Sequence, residues 1–327
     1  MAEERVLLGF DVGGTKIGIG LGTESGKIIG SARIPNVDTY PEDILPQMVS
    51  ESKRLVAEAG LEVSDVAAFG ISVPFPADAV NGIMTAPTNN KKWRNVPILS
   101  YLKEQLGIPG CFENDANCAA LAEWFFGAGK GCENFIYLTQ STGIGGGIIA
   151  SDRLVRGGGA LSAGECGHIC VELGGRLCNC GMRGCYEAYA GGRAIANRIR
   201  EELADHPDTA ILKFADNDPE KIDMVAVEKA VRAGDEYACA IWEEMSIRNA
   251  QAIGMFINIF NPEKIILGTL AWAVGDLYMD PIKKYLPQYC WAEPLAKCEL
   301  VPSALRRDIG SYAGVAAALN YLKENAR

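Results

Sequence analysis

One stretch of the chain concentrates the residue types that bind metals. His168 is followed by Cys178, Cys180 and Cys185 in a His-x9-Cys-x-Cys-x4-Cys spacing. One imidazole and three thiolates complete a tetrahedral zinc set and leave no coordination position for an activated water, so a site of this kind is structural. Gly174, Gly175, Gly181 and Gly184 lie among these ligands and let the chain wrap tightly around an ion. Cys166 and Cys170 flank His168 as rival ligands, although in an extended chain they point together to one face and need not converge on the same metal. Glu165 and Glu187 bracket the cluster. A metal-bound imidazole keeps its second ring nitrogen for another partner. Carboxylates accept the hydrogen bonds that sugar hydroxyls donate. Segment 163–187 therefore reads as a zinc-supported wall on which Glu165, His168 and Glu187 face a polyhydroxylated ligand.

A second group of residues suits phosphoryl transfer. In "ENDAN", Asp115 is placed to orient an attacking alcohol and take its proton. Asn114 beside it can donate to and accept from a neighbouring hydroxyl. The same pair at a strand end would also serve as a helix cap. In "DVGGTK", Gly13 and Gly14 allow a tight turn whose amides, with Thr15 and Lys16, can hold phosphate oxygens. Asp11 at the strand end is a candidate Mg2+ ligand. The spacing matches neither a Walker loop nor a dinucleotide fingerprint. A second Gly loop, "STGIGGG" at 141–147, gives a partner that can face the first across a cleft.

These loops need strands to carry them. "RVLLGFDVGG", "KIGIGLGT" and "KIIGSARI" read as three antiparallel strands, followed by a helix over 42–59. "VAAFGISVP" reads as a buried strand, "VPILSYLKEQLG" as a helix stopped by Gly107, and "GCFENDAN" as a strand running into the helix "AALAEWFFG". The outline then repeats. "NFIYLTQSTGIGGGIIASDRLVRGG" is again strand, Gly turn, strand, turn, strand, which predicts a duplicated α/β unit. The second copy carries the Cys/His segment and a helical region over 186–260, then the strand "EKIILGT" and a small-residue closing helix. The expected lobes are 1–117 and 118–307, with 308–327 packing back on the first and a cleft between them.

Composition narrows the function classes. The chain has 327 residues and a formal charge of -10, which disfavours nucleic acid and membrane surfaces as partners. No apolar run approaches the roughly 18 to 20 residues needed to span a bilayer, and no secretory signal opens the chain; a cytoplasmic location is expected. Eleven cysteines in a chain of this size read as reduced thiols. Cys111, Cys118, Cys132, Cys239, Cys290 and Cys298 are expected as small buried hydrophobes, and His206 as a solvated loop residue.

"FDVGGTK", "ENDANCAALAEW", "STGIGGG", "AGECGH" and "CNCGMRGCYE", in this order, resemble the ROK family of sugar kinases and sugar-responsive repressors, over essentially the whole chain. "APTNNKKWRNVP" is similar to the glucokinase branch. The resemblance implies an actin-like, ribonuclease-H-like two-lobed fold with a central cleft and a zinc-bound insertion. It implies ATP, Mg2+, a structural zinc and a homodimer. It makes Asp115 the catalytic base and Asn114, Asp115, Glu165, His168 and Glu187 the sugar contacts. It gives phosphate contacts to Gly13, Gly14, Thr15, Lys16, Thr142, Gly143 and Gly145, and nucleotide contacts to Asp11 and Gly268. The chain departs from the family's Gly-Gly after the late strand, with Gly268-Thr269, has Ser141 where Gly is common, and lacks Pro-Gly in "SVPFPAD". Glucose phosphorylated at its 6-hydroxyl is the expected reaction. N-acetylmannosamine, N-acetylglucosamine, mannose, allose and fructose are the alternatives to glucose as acceptor, and polyphosphate is the alternative to ATP as donor. A sugar-sensing repressor is disfavoured because the first strand begins by about Val6, before any helix-turn-helix. A non-catalytic sugar sensor is disfavoured by Asp115 and the two Gly loops.

Overall fold

A strand that is apolar on both faces must be covered on both, and this rule places β1 (Val6–Val12, VLLGFDV) at the centre of its sheet. The computed structural model describes residues 4–85, 92–159 and 161–326, so the 86–91 part of the "APTNNKKWRNVP" stretch lies outside the described residues. β1 pairs antiparallel with β2 (Lys16–Thr23), which pairs antiparallel with β3 (Ile28–Pro35). α1 (Pro41–Glu58) returns the chain to β4 (Val66–Val73), parallel to β1. α2 (Ile98–Leu106) ends at Gly107, whose φ of 71° is the left-handed cap that glycine adopts without strain. β5 (Gly110–Asn114) then completes a sheet of order β3-β2-β1-β4-β5.

α3 (Asp115–Phe126) starts directly at the end of β5 and leads to the second sheet. That sheet is built from β6 (Phe135–Gln140), β7 (Ile144–Ile149), β8 (Lys264–Leu267) and β9 (Glu299–Pro302), in the order β7-β6-β8-β9. Between β7 and β8 lie the Cys/His segment and the helices α4 (Glu187–Ala190), α5 (Gly192–Glu202), α6 (Ala210–Phe214), α7 (Met224–Arg232) and α8 (Glu236–Phe260). α9 (Leu270–Val274), α10 (Asp276–Tyr285) and α11 (Ala292–Leu295) separate β8 from β9, and α12 (Ile309–Asn325) closes the chain. No helix among the described residues is long and apolar enough to cross a membrane.

The duplication is visible strand by strand. β6, β7, β8 and β9 repeat the pairings of β1, β2, β4 and β5. Among the described residues no third strand forms in the second copy, which corrects the sequence expectation. Leu154 makes only an isolated bridge to Ile149. Ser151 and Asp152 have positive φ and turn the chain sharply, Gly157–Gly159 offer no side chains to pack, and Arg156 is drawn across to Glu113 in β5.

α12 explains its own composition. Ala313 through Asn320 are all buried, because the helix is enclosed by both the first sheet and α3. A Cβ on Gly9 would lie 2.4 Å from the Val315 backbone nitrogen, and one on Gly314 2.4 Å from the Phe10 nitrogen. Only glycines admit the helix this close to β1. β1, β4 and β5 run parallel, as do β6, β8 and β9. The carboxyl ends of parallel strands are where open α/β sheets bind ligands.

Candidate active site

Asp115 is the first residue of α3, and its position follows from a cap. Asn114 Oδ1 accepts from the Ala116 and Asn117 amides at 2.9 and 3.2 Å. The capping role weighed for Asn114 is therefore filled, and its acceptor is spent; the Nδ2 amide remains for a ligand, as a donor only. Asp115 Oδ1 accepts from its neighbour's amide, Ala116 N, at 2.8 Å. Its other face is open to a cleft of about 500 Å³. Enclosure by the cleft floor raises its pKa to about 6 against a hydrogen bond from the Ala116 amide, and the charges of Asp11 and Glu165 add to the rise. A carboxylate tuned towards neutrality is matched to general-base work near physiological pH.

The cleft brings Asn114, Asp115, Glu165, His168 and Glu187 together with Thr142, Gly143 and Gly145 of the hairpin between β6 and β7. Glu187 does two things there. Its Oε2 accepts from Ile144 N at 2.7 Å and lies 2.4 Å from where a Cβ on Gly143 would be. One carboxylate oxygen thus clamps the hairpin, and Oε1 is left for a ligand. The Cβ position of Gly145 points at Ala116, 3.0 Å from its Cβ, so this residue also lets α3 approach β7.

The four metal-ligand candidates converge. The donor atoms of His168, Cys178, Cys180 and Cys185 lie within 4.8 Å of one another. Cys180 Sγ is 3.6 Å from Cys185 Sγ, and Cys178 Sγ is 3.8 Å from His168 Nδ1. Zinc–sulfur bonds of about 2.3 Å in a tetrahedron put sulfurs about 3.7 Å apart, so the donor set fits a zinc ion in kind and in size. Nδ1 faces the thiols, and His168 Nε2 faces Glu165 Oε2 at 4.0 Å, the second nitrogen turned to the ligand side. Burial raises the Glu165 carboxyl, the His168 ring opposes the rise, and Glu187 adds to it. Cys166 and Cys170 stand outside the cluster.

The first Gly loop sits apart from this lining. Asp11, Gly13, Gly14, Thr15 and Lys16 do not line the cleft, although Asp11 accepts from Ser72 Oγ at 3.3 Å and lies close enough for its charge to act on Asp115. Burial raises the Asp11 carboxyl above the usual range. Gly268 is also set back: its amide donates to Leu138 O at 2.7 Å, and the Tyr137 hydroxyl occupies the space where a side chain would go. Thr269 stands forward instead. It adopts φ 35°, lies 3.3 Å from the Thr139 hydroxyl, and lines a second cavity of about 500 Å³ beside the cleft. α9 forms one wall of that cavity through Leu270, Ala273 and Val274.

Sequence reasoning missed several lining residues. Pro74, Phe75 and Pro76 border the cleft, and their signal was available: they follow β4 at its carboxyl end. Asn179 and Arg193 had no such signal. Of the remaining cysteines, Cys118 and Cys132 are buried as expected, whereas Cys239 is exposed and Cys111, Cys290 and Cys298 are intermediate. His206 stacks on Tyr237 with ring centroids 3.7 Å apart.

The ROK family model matches residues 7–321. A glucokinase of Thermotoga maritima is 36% identical over 322 residues, covering 97% of each chain. Among solved structures, a ROK hexokinase from Thermus thermophilus superposes with a TM-score of 0.84 at 28% identity, over 99% of this chain and 100% of that one. A ROK glucokinase from Streptomyces griseus, in complex with glucose and AMPPNP, superposes with a TM-score of 0.75 at 30% identity, over 96% and 99%. Two sheets in repeated order around a cleft, with these relatives, define an ATP-dependent sugar kinase. The chain belongs to the ROK family.

Proposed function

We propose that this kinase transfers the γ-phosphoryl group of ATP to the 6-hydroxyl of glucose. The observation that carries the reading is Asp115, held by the α3 cap with its carboxylate facing the cleft that Glu165, His168 and Asn114 also face. Asp115 accepts the proton of the hydroxyl as its oxygen attacks phosphorus. Glu165, Glu187 Oε1, His168 Nε2 and the Asn114 amide supply the acceptors and donors that a hexose's other hydroxyls need. The neighbouring cavity, with Met224, Leu270, Ala273 and Val274 in its wall, takes the adenosine, and the 141–145 hairpin between the two takes the phosphates. Mg2+ supplies charge neutralisation on the phosphates when bound, with Asp11 its candidate protein ligand; zinc on His168, Cys178, Cys180 and Cys185 supports the sugar wall. Lobes 1–117 and 118–307 then supply the two sides of the cleft, and Gly13, Gly14, Thr15 and Lys16 reach the phosphates when those sides close. The 36% identity to a glucokinase supports glucose over the other hexoses. A coupled ADP-release assay over glucose, mannose, allose, fructose, N-acetylglucosamine and N-acetylmannosamine tests it. Glucose is expected to give the highest kcat/KM; a higher value for any other sugar overturns the assignment.

A further inference from the structure

A kinase cleft lined by Asp115, Glu165 and Glu187 faces an electrostatic problem, because the incoming triphosphate carries the same sign of charge. Among the described residues lining the cleft, Arg193 alone carries a permanent positive charge. Lys16, the cation that the sequence motifs pointed to, is not among them.

Arg193 also occupies the junction. The cleft and the neighbouring cavity share Ser141, Thr142 and Arg193 in their walls. Its backbone is fixed there: Gly192 N donates to Ser141 O and Arg193 N to Thr142 O, each at 2.9 Å, so the first turn of α5 is tied to the glycine hairpin. Its side chain is exposed and, among the described residues, is held by no carboxylate and no hydrogen bond. The other arginine of the second cavity is different. Arg200 is tethered to Asn197 Oδ1 and to Pro219 O, each at 2.7 Å. One arginine is built into the wall; the other is left free where a group passing from one cavity to the other must cross.

We propose that Arg193 is a catalytic phosphate-binding residue of this kinase. The inference rests on the reading that adenosine fills the second cavity and sugar fills the cleft. The planar guanidinium fork matches two phosphate oxygens. During transfer the sugar oxygen forms its bond to the γ-phosphorus and its proton goes to Asp115. The bond from that phosphorus to the β–γ bridging oxygen breaks, and its electron pair leaves on ADP. Arg193 gives up no proton; it stabilises the charge on the migrating phosphoryl group and the departing oxygen.

The test separates phosphate contact from wall-building. Arg193→Gln and Arg193→Lys are measured for kcat, and for binding of AMPPNP, ADP and adenosine by calorimetry. Arg193→Gln is expected to weaken AMPPNP and ADP at least about tenfold and to lower kcat, with adenosine binding unchanged, and Arg193→Lys to restore part of both losses. Equal weakening of adenosine, or unchanged AMPPNP binding with unchanged kcat, overturns the proposal. Ala273→Trp, which fills the second cavity from its exposed wall, tests the underlying reading separately. Loss of adenosine binding supports that reading and retention overturns it, whatever Arg193→Gln does.

Discussion

Arg156 Nε donates to Glu113 Oε2 at 2.6 Å and ties the segment after β7 to the end of β5, two residues before the proposed base. Glu113 is almost fully buried at the end of β5, and its other oxygen accepts from Asn117 Nδ2 at 2.9 Å and Asn114 N at 3.0 Å. One carboxylate therefore holds both ends of the Asn114–Asn117 turn that presents Asp115. Arg156 also donates to Glu324 at the exposed end of α12, a rim contact worth little by itself. The expected result for Arg156→Ala is a loss of about 3 kcal/mol, because a buried carboxylate is left without its partner. Adding Glu113→Gln should recover part of that loss, and a double-mutant cycle in urea measures the coupling. Wild-type stability in Arg156→Ala would show that the pair does not bear on the fold.

The environment of Asp115 predicts a pH profile. With its pKa raised to about 6, kcat/KM should fall on the acid side with an apparent pKa near that value, as the base becomes protonated. Glu165 contributes to the rise through its charge, so Glu165→Gln should move that limb to lower pH while weakening sugar binding. The stability consequence has the opposite sense to catalysis. Because the native pKa lies above the ordinary 3.8, the folded chain binds the proton first as pH falls. Stability therefore declines as pH rises from about 4 through about 6, and the cost of ionised Asp115 remains at neutral pH. Asp115→Asn should lower turnover by about 100- to 10,000-fold, keep sugar binding, and melt no lower than the wild type at pH 7. An unchanged kcat would refute the base assignment.

How far the sequence carried depends on the range of the interaction. The metal set is local: four residues within one segment, Gly-rich between ligands, declare their geometry through spacing alone. The strand-turn-strand openings were equally legible, as was Asp115 at the junction of β5 and α3, because a buried run ending in polar residues is a local pattern. What depended on distant partners was not legible. Arg193 looks like an ordinary first-turn residue of an amphipathic helix until that helix meets the 141–142 carbonyls. The third strand expected in the second copy has apolar Leu154 and Val155, yet Arg156 beside them pairs with Glu113, far away in sequence. Glu187 reads as a free sugar contact until Ile144 N takes one of its oxygens.

The zinc assignment predicts one equivalent of metal per chain by elemental analysis. Cys180 is exposed and lines the cleft, whereas Cys178 and Cys185 are buried. Cys180→Ser should therefore lower zinc content and sugar affinity while disturbing packing less than Cys185→Ser. Thermal unfolding of the chelated protein should begin at lower temperature, since metal binding and folding of such segments are linked. Full sugar affinity in a metal-free preparation would contradict the supporting role.

The hairpin makes the sharpest steric prediction. A Cβ at Gly143 would sit 2.4 Å from Glu187 Oε2, the atom that also receives the Ile144 amide. Gly143→Ala must therefore displace either the hairpin or the carboxylate, and both face the proposed substrates. A shift of about 1 Å at such a place can cost about 100-fold in rate, so kcat/KM should fall steeply for sugar and ATP together. Gly158→Ala is the control, since nothing lies within 4 Å of its added Cβ. Comparable losses in the two variants would mean that the Gly143–Glu187 contact is not what aligns the site. A loss confined to Gly143→Ala, with unchanged thermal stability, would locate the defect in the alignment of the hairpin against Glu187.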